Sequence, residues 1–104
     1  MKVILSVTLS ENDTEWAPHS ETLFKTAEWD AIPSGDATIQ FGVSEEGETG
    51  SVSTYDPRIY WDTSGVVNIG LRSLNLREEY DAIRECALRD GFLPYKEWKE
   101  QNGT

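Results

Sequence analysis

The chain has 104 residues, of which 38% are hydrophobic and 11% aromatic, and its formal net charge at pH 7 is −10. This is the length of one domain, and the aromatic content is too high for a disordered chain. No apolar run approaches the roughly 20 residues that span a bilayer. A charge of this size and sign also argues against direct binding to nucleic acid or to an anionic membrane, because both would repel it.

The negative charge is concentrated in the first half of the sequence. Residues 1–57 contain eleven acidic and two basic residues, a net charge of −9. Residues 58–104 contain eight acidic and seven basic residues, a net charge of −1. Such a field favours a basic protein as the partner, or serves solubility alone.

The cysteine content and the N-terminus both predict a cytoplasmic protein. Cys86 is the only cysteine, so no internal disulfide can form, which fits a reducing compartment. The apolar stretch at residues 3–9 is interrupted by Ser6 and Thr8 and is followed by acidic residues without a small-residue cleavage site. We therefore interpret it as a first strand and not as a signal peptide.

The first third of the chain is predicted to form a strand, a loop and a short helix. Apolar side chains occupy every odd position from 3 to 9, the period of a strand with one face on a core. Residues 10–19 are polar and contain Pro18, as expected of a loop. Over residues 20–32, Ser20 as an N-cap and apolar residues at 23, 24, 27 and 31 favour a short helix.

The middle of the chain is predicted to form four further strands. Stretches of alternating or β-prone residues lie between turn signals, at residues 37–43, 51–55, 58–61 and 66–71. An acidic loop at residues 44–50, Asp56-Pro57, and a hairpin loop at residues 62–65 that ends on glycine connect them. This close spacing of turns predicts an antiparallel meander.

A C-terminal helix is predicted at residues 75–90. Asn75 and Glu78 match a capping box in which Asn replaces the usual Ser or Thr. Apolar residues recur at helical spacing and form one stripe: Leu76, Tyr80, Ile83 and Ala87. Gly91 stands where the helix is expected to end.

These elements predict one α+β domain over residues 1–104, with a mainly antiparallel sheet of four or five strands and the C-terminal helix packed on one face. The expected core joins the helix stripe to these strand residues: Val3, Leu5, Val7, Ile39, Phe41, Val67 and Ile69. Truncating Ile83 to alanine is then expected to cost roughly 2–5 kcal/mol. A last segment at residues 95–101 is expected to dock through Tyr95 and Trp98 on one side.

No pattern in the sequence predicts catalysis, a cofactor or a metal. His19 lies in a polar loop and is interpreted as a solvated side chain, and Cys86 as a half-buried structural thiol beside the apolar stripe. The acidic residues at 11–13 and 45–48 offer oxygen atoms, but neither group matches the calcium-binding loop of an EF-hand. We expect neither an enzyme nor a metal site.

Two groups of residues are candidates for binding. Three carboxylates in the loop at residues 44–50 can stand in for phosphates before a Lys/Arg groove, and three tryptophans are candidate anchors for a partner. These residues are Glu45, Glu46, Glu48, Trp16, Trp29 and Trp61. In an extended chain Glu46 and Glu48 would stand about 7 Å apart on one side. The alternative for the tryptophans is that they complete a small core.

Two hypotheses for function follow. The first is an acidic protein-binding module, such as an inhibitor, an immunity-type protein or a nucleic-acid mimic, that blocks a basic, nucleic-acid-binding partner. The second is a structural or assembly subunit of a phage particle or a larger complex, without a catalytic role. The first requires acidic residues gathered on one face near an aromatic anchor, whereas the second requires only scattered charge.

Overall fold

The computed structural model describes residues 1–11, 20–54, 56–75 and 77–102, and the side chains of residues 74–78 are outside that description. The elements of the described part, in chain order, are β1 (Lys2–Glu11), β2 (Ser20–Glu28), β3 (Ile39–Val43), β4 (Thr49–Thr54), β5 (Arg58–Trp61), β6 (Val67–Asn75), α1 (Arg77–Arg89), β7 (Leu93–Pro94) and α2 (Tyr95–Asn102).

The described strands form one five-stranded sheet in the order β5-β6-β1-β2-β7 and a separate hairpin of β3 with β4. Three neighbouring pairs of the sheet are antiparallel, but β1 and β6 are parallel, with Val3 opposite Val67. The α+β prediction is therefore confirmed, and the sheet is mixed. The predicted meander is wrong, because β3 and β4 leave the sheet and β6 returns beside β1.

The sequence of β1 explains its place in the middle of the sheet. Its odd positions are buried, and Val3, Val7 and Leu9 are fully inaccessible to solvent. Its even positions from Ile4 to Ser10 are half-buried on the other face, and Lys2 is exposed. A strand that is covered on both faces packs best with a neighbour on each side, and β2 and β6 supply these neighbours.

The core lies between one face of the sheet and a second layer made of α1 and the β3–β4 hairpin. The buried apolar residues of the two layers are Val3, Leu5, Val7, Leu9, Leu23, Ile39, Phe41, Val52, Val67, Ile69, Leu71, Tyr80, Ala87 and Phe92. The predicted strand core is thus buried, although its members belong to two sheets. Thr54 fastens the hairpin to the sheet through a hydrogen bond from its hydroxyl to the carbonyl oxygen of Arg72, at 2.5 Å.

The predicted helix over residues 20–32 is wrong, since residues 20–28 form β2. Leu23 is buried on the core face opposite Val7, whereas Phe24 points to the other face of the sheet. Three of the apolar residues that would share one side of a helix, Leu23, Phe24 and Ala27, are therefore divided between the two faces of the strand, and the fourth, Ala31, lies beyond its end. The β-branched residues Thr22 and Thr26 favour this outcome.

The predicted C-terminal helix is confirmed as α1, and it ends as expected. Gly91 has a φ of 97°, in the left-handed region that glycine adopts without strain. The Phe92 N–H donates to the Ala87 carbonyl oxygen and the Gly91 N–H to that of Leu88, both at 3.1 Å, which is a Schellman motif. Along the predicted stripe, Tyr80 and Ala87 are buried and Ile83 is half-buried. The capping box of Asn75 and Glu78, and Leu76, lie outside the described side chains.

The second helix, α2, covers part of the opposite face of the sheet. Phe24 stacks on Trp98 and meets Tyr95 edge to face, with ring centroids 5.3 Å apart in both pairs. The Trp98 indole N–H donates to the Thr26 hydroxyl at 3.0 Å. The prediction that Tyr95 and Trp98 dock on one side is confirmed. In the described part of the chain, no helix has both the length and the apolar character needed to cross a membrane.

Candidate acidic interface

The acidic loop between β3 and β4 is a compact turn held by its own hydrogen bonds. The Ser44 N–H donates to the Glu48 carbonyl oxygen and the Gly47 N–H to that of Ser44, both at 2.9 Å. The Ser44 hydroxyl accepts from the Glu48 N–H at 3.1 Å, and the Ser51 hydroxyl donates to the Glu48 carbonyl at 3.0 Å. The expected extended spacing of Glu46 and Glu48 is therefore wrong, because the chain reverses between them with Gly47 at a φ of 87°.

The last turn of α1 positions this loop against the helix. The Arg89 guanidinium donates to the Val43 carbonyl oxygen at 2.8 Å, and lies 3.9 Å from a carboxylate oxygen of Glu45. The next residue, Asp90, accepts hydrogen bonds from the Gly42 N–H at 3.0 Å and from the Lys25 ammonium at 3.1 Å. Two consecutive residues of one helix end thus fix the strand that leads into the loop.

Close approach of α1 and β3 requires glycine at position 42. Gly42 has a φ of 89°, and a Cβ atom there would stand 3.1 Å from the Cβ of Cys86. The register of the hairpin also shifts between Phe41 and Val43, as at a β-bulge. The bulge turns β3 at the point where the acidic loop begins.

The loop and the outer side of α1 enclose a groove of about 320 Å³. Four of the side chains that line it are carboxylates and one is a guanidinium, which gives the lining a net charge of −3. These residues are Glu45 and Glu46 from the loop and Asp81, Glu85 and Arg89 from α1. We call them the acidic groove. All four carboxylates are exposed to solvent, so the groove can receive a basic side chain without prior opening.

The predicted binding residues occupy different places. Glu45 and Glu46 line the acidic groove, while Glu48 is exposed but does not line it. Trp29 is half-buried and packs against the core, as the alternative for the tryptophans expected. Trp61 is 62% exposed and lies on the edge strand β5, away from the groove lining. Trp16 lies outside the described residues.

Sequence reasoning missed the contribution of α1 to the groove. Asp81, Glu85 and Arg89 are spaced by four residues and therefore share one side of the helix. That spacing was available as a signal for an acidic helix face. The contact of this helix face with Glu45 has no signal in the sequence, because it depends on the packing of the helix against a hairpin that is distant in the sequence.

The described residues contain no cluster suited to metal binding. No group of three or more His, Cys, Asp or Glu among them is arranged to hold a metal ion. Cys86 is half-buried at the base of the acidic groove, with its sulfur 3.7 Å from an Arg89 nitrogen. His19 lies outside the described residues. The groove therefore offers carboxylates to a basic side chain and not a metal site.

Comparisons of the chain with protein-family models, with curated proteins and with solved structures find no match.

Proposed function

We propose that this chain is an acidic protein-binding module that blocks a basic, nucleic-acid-binding partner, in the manner of an inhibitor, an immunity-type protein or a nucleic-acid mimic. The observation that supports the proposal is the acidic groove. Two separate elements bring four carboxylates together around one guanidinium. Gathered charge of this kind is what the inhibitor hypothesis requires and what scattered surface charge would not produce.

The fixed conformation of the acidic loop also supports the proposed function. Its carboxylates sit on a turn closed by backbone hydrogen bonds, and Arg89 ties the preceding strand to α1. A partner that binds there does not have to order the loop, which lowers the entropic cost of association. The surrounding charge of the chain, −10 in total, would accelerate the encounter with a basic protein.

The second candidate is a structural or assembly subunit of a phage particle or a larger complex. It is favoured by Tyr60 and Trp61, which are 56% and 62% exposed on the edge strand β5. Exposed aromatic residues at a sheet edge are suited to contacts with another chain, and they do not require a basic partner. Recovery of the partner by pull-down from the native host distinguishes the two, since a nuclease or another basic protein supports the first and a particle component the second.

The proposed function predicts that neutralising the acidic groove slows association with that partner. In the test variant, Glu45→Gln, Glu46→Gln, Asp81→Asn and Glu85→Gln remove four negative charges. We expect an association rate at low ionic strength at least about tenfold below that of the wild-type chain, because steering by charge acts mainly on the on-rate. The difference should shrink as salt is added. Stopped-flow fluorescence or surface plasmon resonance measures both.

A matched control separates the groove from the general charge of the chain. Four exposed acidic residues that do not line the groove, Glu28, Asp30, Glu97 and Glu100, are changed to their amides, which removes the same charge elsewhere. This control should associate considerably faster than the groove variant. Equal slowing of the two variants would show that the charge acts without a defined site, and the proposal would then be wrong.

A further inference from the structure

The outer edge of β5 is an exposed strand with an unusual composition. Among the described strands, β5 is the last on its side of the sheet, and it pairs with β6 alone. Tyr60 lies on one face and Ile59 and Trp61 on the other, where Ile59 packs against the core. Because no further described strand continues this face, Trp61 stays exposed although it has the orientation of a core residue.

The hydrogen bonds of the hairpin show which backbone groups point outward. The Asp62 N–H donates to the Val66 carbonyl oxygen at 3.1 Å, so these two residues form a hydrogen-bonded pair. Hydrogen-bonded and non-hydrogen-bonded pairs alternate along an antiparallel ladder. Tyr60 therefore bonds to β6, whereas the N–H and C=O groups of Ile59 and Trp61 point away from the sheet. Within the described residues no strand pairs with them.

We propose that β5 pairs with β5 of a second copy of this chain, antiparallel and about a two-fold axis at Tyr60. In this register Ile59 of each copy stands opposite Trp61 of the other. The two pairs form four backbone hydrogen bonds and use every outward N–H and C=O group of the strand. The result is one continuous sheet through both copies, with α1 of each on the same side.

The alternative antiparallel registers use these groups less well. Moving the axis to Ile59 places Pro57 opposite Trp61, and proline has no N–H to donate. Moving it to Trp61 places Ile59 opposite Thr63, which belongs to the turn and not to the strand. An odd shift would bring opposite faces of the two strands together. The register about Tyr60 is the one that satisfies both strands.

The charges that flank the strand are complementary in the same register. Arg58 of each copy stands opposite Asp62 of the other, on the face that carries Tyr60. Asp62 uses its Oδ1 atom for the turn, where it accepts from the N–H groups of Ser64 at 2.9 Å and Val66 at 3.1 Å. The edge is therefore locally neutral in a chain whose net charge is −10, and a parallel pairing would instead set Arg58 against itself.

The test is a cysteine crosslink that reads the register. Tyr60→Cys places a thiol on the two-fold axis, where paired Cα atoms stand about 4.5 Å apart, within the span of a disulfide. Arg58→Cys on the same strand and face is the matched control. Its two copies would be separated by roughly 13 Å along the strands, too far for a disulfide. Both variants also carry Cys86→Ser, and circular dichroism confirms that each is folded.

The expected result is rapid disulfide formation under mild oxidation for Tyr60→Cys and little for Arg58→Cys. Sedimentation equilibrium of the wild-type chain should give a mass approaching twice 11.7 kDa in the micromolar range. Arg58→Glu should weaken this association by about tenfold, since like charges then face each other across the pair. A wild-type mass of one chain throughout that range, or equal crosslinking of the two cysteine variants, would overturn the proposal.

Discussion

At the scale of single residues, Tyr80 illustrates how burial and charge act on one side chain. It is 7% exposed, and burial raises the pKa of its phenol, with a further contribution from the carboxylate of Glu21. Glu21 is itself held by Arg84, whose Nε donates to it at 2.6 Å and whose Nη2 donates at 3.3 Å. This bond raises the pKa of the Arg84 guanidinium, so the guanidinium stays charged. The raised pKa thus favours the neutral phenol in the first turn of α1.

The raised pKa of Tyr80 predicts a loss of stability in alkali. A phenol with a higher pKa in the folded state stabilises the fold fully below its unfolded pKa near 10, and this contribution is lost as pH rises through the folded value. Tyr80→Phe has no such group and should show a shallower decline of the free energy of unfolding above about pH 10. Urea denaturation at stepped pH measures it.

The exposed Tyr95 provides the control for this experiment. Tyr95 is 51% exposed, so Tyr95→Phe should decline with pH as steeply as the wild-type chain does. If Tyr80→Phe and Tyr95→Phe instead follow the same curve as the wild type, the buried phenol does not report on folding and the assignment fails.

At the scale of elements, Phe92 joins the end of α1 to the hairpin. It is fully buried, and its ring meets that of Phe41 edge to face with centroids 5.6 Å apart. We expect Phe92→Ala to lower the free energy of unfolding by about 3–5 kcal/mol, as for other buried aromatic residues. Ile83→Ala should cost less than about 2 kcal/mol, below the range of about 2–5 kcal/mol expected from the sequence, because Ile83 is only half-buried. Denaturant unfolding gives both values, and an equal cost would show that Phe92 does not connect the two elements.

Elements with a complete local signal were predictable from the sequence. β1 alternates with Ile4 as the one exception, the β5–β6 hairpin has Gly65 at the end of its loop, and α1 has an apolar stripe with Gly91 as its stop. β2 was not predictable in this way, because residues 23, 24, 27 and 31 satisfy a helical period as well. The parallel pairing of β1 with β6 has no local signal, since it joins residues that are 64 positions apart in the sequence, such as Val3 and Val67. The acidic groove was half predictable for the same reason: Glu45 and Glu46 are adjacent in sequence, but Asp81 and Glu85 reach them through packing.

At the scale of the whole molecule, repulsion between like charges is expected to oppose folding. The chain carries −10, and the ion pairs of the described residues, such as Lys25–Asp90 and Arg84–Glu21, neutralise few of its carboxylates. Raising the concentration of sodium chloride from low to physiological should therefore raise Tm, because salt screens the remaining repulsion. Differential scanning calorimetry measures the shift.

The double variant Glu45→Gln and Glu46→Gln provides a comparison within the same experiment. These two residues face Asp81 and Glu85 across the acidic groove, so their neutralisation should raise Tm at low salt and reduce its dependence on salt. A Tm that falls with added salt in the wild-type chain would show that attractive pairs outweigh the repulsion.

The parallel pairing of β1 with β6 has a consequence for the order of events during synthesis and folding. β1 leaves the ribosome before the other described strands, but one of its two neighbours lies at residues 67–75, beyond the middle of the sequence. The β5–β6 hairpin can close by itself within microseconds, whereas joining it to β1 must close a loop of more than fifty residues and is the slower, entropically costly step. Until then the backbone groups on that edge of β1 have no strand to pair with, and its apolar side chains are incompletely covered. The nascent chain is therefore most prone to aggregate before β6 emerges, and a truncation that ends ahead of residue 67 should be recovered mainly in the insoluble fraction.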